Sequence, residues 1–226
     1  MGVTIGLRRV TWQPCWRIVP SRFPPIDLFE RIADPADWDA LIALESLTND
    51  RIRDAVGDIA LVPPEERISG PGASVIMAAF THPNPDGSRF SDGSFGVFYA
   101  GADLATAIAE TKHHRARFMR ATGQPRMQLD MRVYVVDLDG ELHDIRGDRA
   151  ILPLVYHPDD YAGSQALAVR LRAEGSSGIV YDSVRHDGAC AAVFRPRCLS
   201  NPRQERHLCY VWDGRAIVMV YEKRAM

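Results

Sequence analysis

Gly87-Ser88-Arg89-Phe90-Ser91-Asp92-Gly93-Ser94-Phe95-Gly96-Val97-Phe98-Tyr99-Ala100-Gly101-Ala102-Asp103-Leu104-Ala105-Thr106-Ala107-Ile108-Ala109-Glu110 reads as three local structures in succession. Thr81 to Gly96 holds Pro83, Pro85, Gly87, Gly93 and Gly96, which break regular structure, so a loop of unusual length is expected, and long ordered loops are often functional. Phe95, Val97, Phe98 and Tyr99 have strand propensity, and Gly101 closes the run. Asp103 stands where a helix N-cap belongs, which predicts a helix of four or five turns from Leu104 to about Ala121. On a helical wheel Leu104, Ile108, Thr111 and Phe118 define the core stripe, and Glu110 falls about a third of a turn from its centre. An arginine in a loop, a tyrosine at a strand end and a carboxylate at the rim of a helix are thereby brought towards one cleft.

Outward from this stretch, Met127 to Leu138, Gly178 to Val184, Ala189 to Phe194 and Val211 to Tyr221 read as strands, with a helix from Ser164 to Glu174 between them. Ala73 to Phe80 reads as a strand or a short buried helix. Residues from about 26 to 57 have a helical texture, with Asp34 or Asp37 as caps and Leu41, Leu44, Leu47 and Ile52 near one face, and Pro63, Pro64, Gly70, Pro71 and Gly72 end it. Strands interspersed with a few helices, without regular βαβ alternation, predict an α+β fold. The expected organisation is one domain, with an N-terminal helical arm over 1–72 and a core over 73–226.

With 46% hydrophobic and 25% charged residues, the 226-residue chain can bury one sizeable core. Its formal net charge of −2 gives no global attraction to nucleic acid or anionic lipid, so any anion must be gripped locally. Only Lys112 and Lys223 among the basic residues are lysines; a GC-rich genome accounts for such an arginine bias as readily as anion binding does. Cys15, Cys190, Cys198 and Cys209 show no CxxC pairing and read as reduced thiols. Arg8, Arg9, Gln13 and Arg17 interrupt any signal-peptide core, and no apolar run approaches the ~20 residues that span a bilayer, so a soluble, cytoplasmic protein without membrane contact is expected.

The chain resembles the RES family, named for an arginine, a glutamate and a serine. The signature is Arg89, Glu110 and Ser183, with Tyr99 in the accompanying aromatic position. The resemblance runs from Trp16-Arg17-Ile18-Val19-Pro20 through Gly178-Ile179-Val180-Tyr181-Asp182-Ser183-Val184-Arg185 to Phe194-Arg195-Pro196. It implies a toxin of a bacterial toxin–antitoxin pair with an ADP-ribosyltransferase-like split β-sheet core and flanking helices. It also implies NAD+ as substrate and a helix-turn-helix (Xre-like) antitoxin that blocks the cleft. Cleavage of the nicotinamide–ribose bond passes through an oxocarbenium-like state, which an ionised Glu110 can stabilise. In that reading Tyr99 lies against nicotinamide, Arg89 takes the pyrophosphate or a nearby NAD+ oxygen, and Ser183 orients ribose or the Glu110 carboxylate. Arg17 is a second anion contact, with Arg22 and Arg31 as alternatives.

Ser183 as a nucleophile is unsupported, since the GxSxG elbow is absent. The seven histidines show no zinc spacing, and His113 and His114 are adjacent on a predicted helix and face different directions, so no metal is expected. No GxGxxG follows a strand, which removes a Rossmann dehydrogenase. Three outcomes stay open. The first is transfer of ADP-ribose to a host protein, such as phosphoribosyl pyrophosphate synthetase, towards which the long arm tilts the reading. The others are an NAD+ glycohydrolase or phosphorylase that depletes the pool, and a non-catalytic binding module.

Overall fold

The computed structural model describes residues 5–21, 38 and 57–224. Three α-helices and seven strands make an α+β fold among them. In chain order they are β1 (Leu7–Pro20), α1 (Ala73–Thr81), β2 (Phe98–Gly101), α2 (Leu104–Ala121), β3 (Met127–Asp144), α3 (Ala162–Ala173), β4 (Gly178–Asp182), β5 (Ala189–Val193), β6 (Leu199–Trp212) and β7 (Ile217–Lys223).

The strands form one hydrogen-bonded sheet in the order β1-β2-β5-β4-β3-β6-β7, and β1 also pairs with β3. That extra pairing closes five strands into a ring. The seams are narrow: β1 meets β2 only at Trp16 and Gly101, and β3 meets β4 only at His143–Ile179 and Asp144–Val180. The sheet is therefore split into a large leaf, β1-β3-β6-β7, and a small leaf, β2-β5-β4. β3 is the spine, buried continuously from Met131 to Val136 because β1 and β6 pair along its two edges. The run is apolar except for Arg132, whose guanidinium donates to the Tyr134 hydroxyl and the Ser21 carbonyl.

β2 and β4 both run antiparallel to β5, so their C-terminal ends lie at the same edge of the small leaf. α2 leaves from β2 and Ser183 follows β4, which delivers both to that edge. The β2–α2 turn is tight, since a Cβ at Gly101 would lie 2.8 Å from the Ala107 nitrogen. Asp103 caps α2 by accepting from the Thr106 amide at 2.8 Å, as the sequence predicts.

Several boundaries differ from the sequence expectation. Residues 7–20, placed with the helical arm, are β1, a strand integral to the sheet, so no arm separates from the core there. The helical texture of 26–57 lies outside the described residues except Trp38 and Gly57; Trp38 is helical and fully buried in the core with Val10, Cys15 and Met77. Val211 to Tyr221 is two strands, because Asp213 accepts from the amides of Arg215 and Ala216 and folds a hairpin turn between them. Phe118 is 42% exposed; Ala107, Ala116 and Met119 form the buried stripe of α2 instead. None of the four cysteines is disulfide-bonded. No helix among the described residues is long and apolar enough to cross a membrane.

The loop before β2 sits hard against α1. A Cβ at Gly96 would lie 2.3 Å from both the Ala79 carbonyl oxygen and the Phe80 Cα. Gly96→Ala is therefore expected to cost about 1–3 kcal/mol through overpacking against backbone that cannot swing aside. Urea unfolding checks this, and an unchanged midpoint would show that α1 is not so closely seated.

Candidate active site

Glu110 and Ser183 meet at the shared edge of β2 and β4. The Ser183 hydroxyl donates to Glu110 Oε1 at 2.6 Å and accepts from the backbone amides of Arg185 at 3.0 Å and His186 at 3.1 Å. Two amides held on one oxygen leave its single proton for the carboxylate, so the bond has one direction. The Glu110 side chain is 15% exposed, sheltered but not sealed. Its second oxygen, Oε2, lies 3.9 Å from His114 Nε2. The loop carrying Ser183 is pinned to α2 as well: Thr106 Oγ1 donates to Asp103 Oδ2 and lies 3.0 Å from His186 Nδ1.

Arg89 is 4% exposed. Its Nη1 donates to the carbonyls of Val155 and His157, its Nη2 reaches that of Pro158, and the guanidinium lies 4.6 Å from the Tyr161 ring centroid. It holds the segment from Val155 to Tyr161 as a strap beside the site. Tyr99 lies on β2 with its hydroxyl 2.8 Å from Ser88 Oγ, accepting from the Phe90 amide. Burial pushes its phenol up to about 12, against the opposing pull of these two bonds, so it is neutral throughout the physiological range. Phe90 is 1% exposed and packs edge-on against Tyr181 at 4.8 Å, which orders the loop. Arg17, on β1, donates to the Tyr99 carbonyl at 3.2 Å and covers the Phe98 ring. Burial lowers its guanidinium to about 10, still a cation at neutral pH. Arg22 and Arg31 lie outside the described residues.

The sequence reading missed His114 and Arg185 as parts of this environment. Arg185 Nη2 lies 2.9 Å from His113 Nε2 and 3.2 Å from Asp159 Oδ1, and also donates to the Pro158 carbonyl. In the sequence the histidines stand out only as candidate metal ligands, and Arg185 only as part of the Gly178–Arg185 motif. Burial, then the charge of Arg185, lowers His113 to about 4; burial, then Arg89, lowers His114 to about 4. Both rings are neutral near pH 7.

Imidazole in the unfolded chain takes up a proton near pH ~6.5, whereas in the fold these rings resist until much lower. From pH ~6.5 down towards 4 the unfolded state binds more protons, and stability falls. His113, 20% exposed, should carry more of this than His114, whose 44% exposed side chain keeps a solvated edge. Urea midpoints are expected to drop between pH 7 and pH 5, and His113→Asn with His114→Gln should flatten the slope. An unchanged slope in that double variant would assign the acid sensitivity elsewhere.

A separate cleft of about 260 Å³ is lined by residues including Val62, Glu66, Phe80, Phe95, Arg172 and Arg195. None of Arg89, Tyr99, Glu110 or Ser183 lines it. A sheltered carboxylate and an oriented hydroxyl meet at Glu110, whereas cleft size alone carries no reaction.

The family model described as RES domain matches residues 64–213. An uncharacterized protein of Sinorhizobium fredii (strain NBRC 101917 / NGR234), y4oC, is 29% identical over 208 residues, covering 91% of this chain and 86% of that protein. A chain from the crystal structure of the M.tuberculosis MbcT-MbcA toxin-antitoxin complex superposes with a TM-score of 0.49 at 11% identity, covering 92% of this chain and 88% of that one.

Proposed function

Because the chain belongs to the RES domain family, we propose that it cleaves the nicotinamide–ribose bond of NAD+ and transfers ADP-ribose to a protein side chain, as the toxin of a toxin–antitoxin pair. The observation that carries this is the 2.6 Å bond from Ser183 to Glu110. It joins the glutamate and serine of the family signature, 73 residues apart in sequence, with the carboxylate sheltered and one oxygen free of the serine.

In this reading the ribose lies over Glu110. Oε1 is held by Ser183, and Oε2 accepts a ribose hydroxyl while the carboxylate charge stabilises the oxocarbenium-like state. The C1′–N bond breaks with its electron pair leaving on nicotinamide, which departs neutral. A lone pair of the acceptor forms the new bond at C1′, and its proton passes to solvent. Tyr99 and Tyr181 supply apolar, uncharged walls, since burial raises both phenols. Arg89 acts by holding the Val155–Tyr161 strap against the site. A cognate antitoxin, as the family resemblance implies, would inhibit by covering this edge.

Incubation with NAD+ labelled in the adenylate moiety, together with lysate, tests the proposal. Release of nicotinamide with label on a discrete protein band is expected. Free ADP-ribose or its 1″-phosphate without a labelled band would reject transfer in favour of hydrolysis or phosphorolysis, and no NAD+ consumption would reject the reading altogether.

A further inference from the structure

Resting on the NAD+ reading above, we propose that Arg185 is the residue that contacts the substrate's pyrophosphate, a role the sequence suggests for Arg89 or Arg17. Arg17, Arg89, Arg149 and Arg185 are tied to the residues of this edge, and of these four only Arg185 has a buried donor without a partner. Arg17 lies over Phe98 and bonds the Tyr99 carbonyl. Arg89 makes three bonds to strap carbonyls and stacks on Tyr161. Arg149 donates to the Ser183 carbonyl and lies over Tyr156.

Arg185 is different. All its side-chain bonds run through Nη2. Among the described residues Nη1 makes no hydrogen bond, and Nε is buried without a partner. A buried N–H left unpaired bears its full desolvation cost, which an arriving oxyanion would offset. Its one carboxylate partner, Asp159, is 70% exposed, and so screened a pair competes weakly with a ligand anion.

Position supports the same conclusion. The Arg185 amide bonds the hydroxyl that orients Glu110, and its guanidinium touches His113, one turn further along α2 than Glu110. Arg185 is thus tied to the Glu110–Ser183 pair through Ser183 and to α2 through His113. A ligand with its ribose on Glu110 would bring its phosphates to the Arg185 cation, whose unpaired Nε and unbonded Nη1 can each donate to an oxyanion.

Binding of ADP-ribose, which keeps the pyrophosphate, is compared with that of nicotinamide riboside, which has no phosphate. Arg185→Gln should weaken ADP-ribose by about 10–100-fold, the loss of one charge-assisted contact, and leave nicotinamide riboside unchanged. Arg185→Lys should recover only part of the loss, and it provides the comparison if the glutamine variant does not fold. The proposal is overturned if the wild type does not bind ADP-ribose, if both variants bind it as the wild type does, or if nicotinamide riboside weakens equally, which would mark a purely structural role. Arg185-dependent ADP-ribose binding without NAD+ cleavage would sink the catalytic reading and leave this inference standing; cleavage with Arg185-independent binding would do the reverse.

Discussion

Glu110→Gln is expected to reduce NAD+ cleavage by about 10²–10³ while leaving the fold intact, the loss typical of removing one preorganised electrostatic group. The substitution is isosteric, and a glutamine carbonyl oxygen can still accept the Ser183 proton, so the loop from Ser183 to Gly188 keeps its anchor. What disappears is the negative charge opposite the ribose as its positive charge develops. The loss should therefore fall on kcat, with a smaller effect on KM, because the charge interaction strengthens only on the way to the transition state. Thermal unfolding of the variant should track the wild type. Unchanged turnover would remove Glu110 from the mechanism, and with it the account built on the Ser183 bond.

Arg89→Gln should act on the fold. Three carbonyls, those of Val155, His157 and Pro158, lose a charged donor, and the Tyr161 ring loses the cation stacked on it. Hydrogen bonds to charged groups contribute about 1.5–3 kcal/mol each, and three on one guanidinium overlap, so a cost of about 2–4 kcal/mol is expected. For a chain of this length that corresponds to a fall in Tm of roughly 4–16 °C. Turnover should fall with it as the strap loosens. Arg89→Lys retains charge but not the fork, and should recover only part of the stability. A residue whose main task is ligand contact behaves differently: KM rises and Tm does not move. Melting of Arg89→Gln at the wild-type temperature would show that the strap bonds are dispensable and would return Arg89 to the ligand.

Much of the frame was legible because local physics fixed it. The α2 start is an Asp103 side chain reaching its own helix amide, a contact three residues apart that no tertiary context is needed to foresee. β4 and β5 are short apolar runs between turn residues, buried on both faces. β6 was not legible. Its first half, Asn201 to Arg206, is polar and largely exposed, and becomes strand because β3 offers a partner edge rather than through any alternation of its own. β1 was missed for a related reason, since its pairing with β3 spans more than a hundred residues.

The site divides the same way. Arg89, Tyr99, Glu110 and Ser183 could be named from residue type and order, and the chain's membership in the RES domain family follows from the same letters. Which side chain meets which depended on the common direction of β2 and β4, and on the strap that occupies the loop arginine. Composition and spacing decide which groups can ionise, cap or turn, because those preferences act within a few residues. Folding decided which guanidinium was left with a buried, unpaired donor: hydrogen-bonding capacity is spent on whatever neighbours the closed sheet brings near, and a linear sequence carries no measure of that.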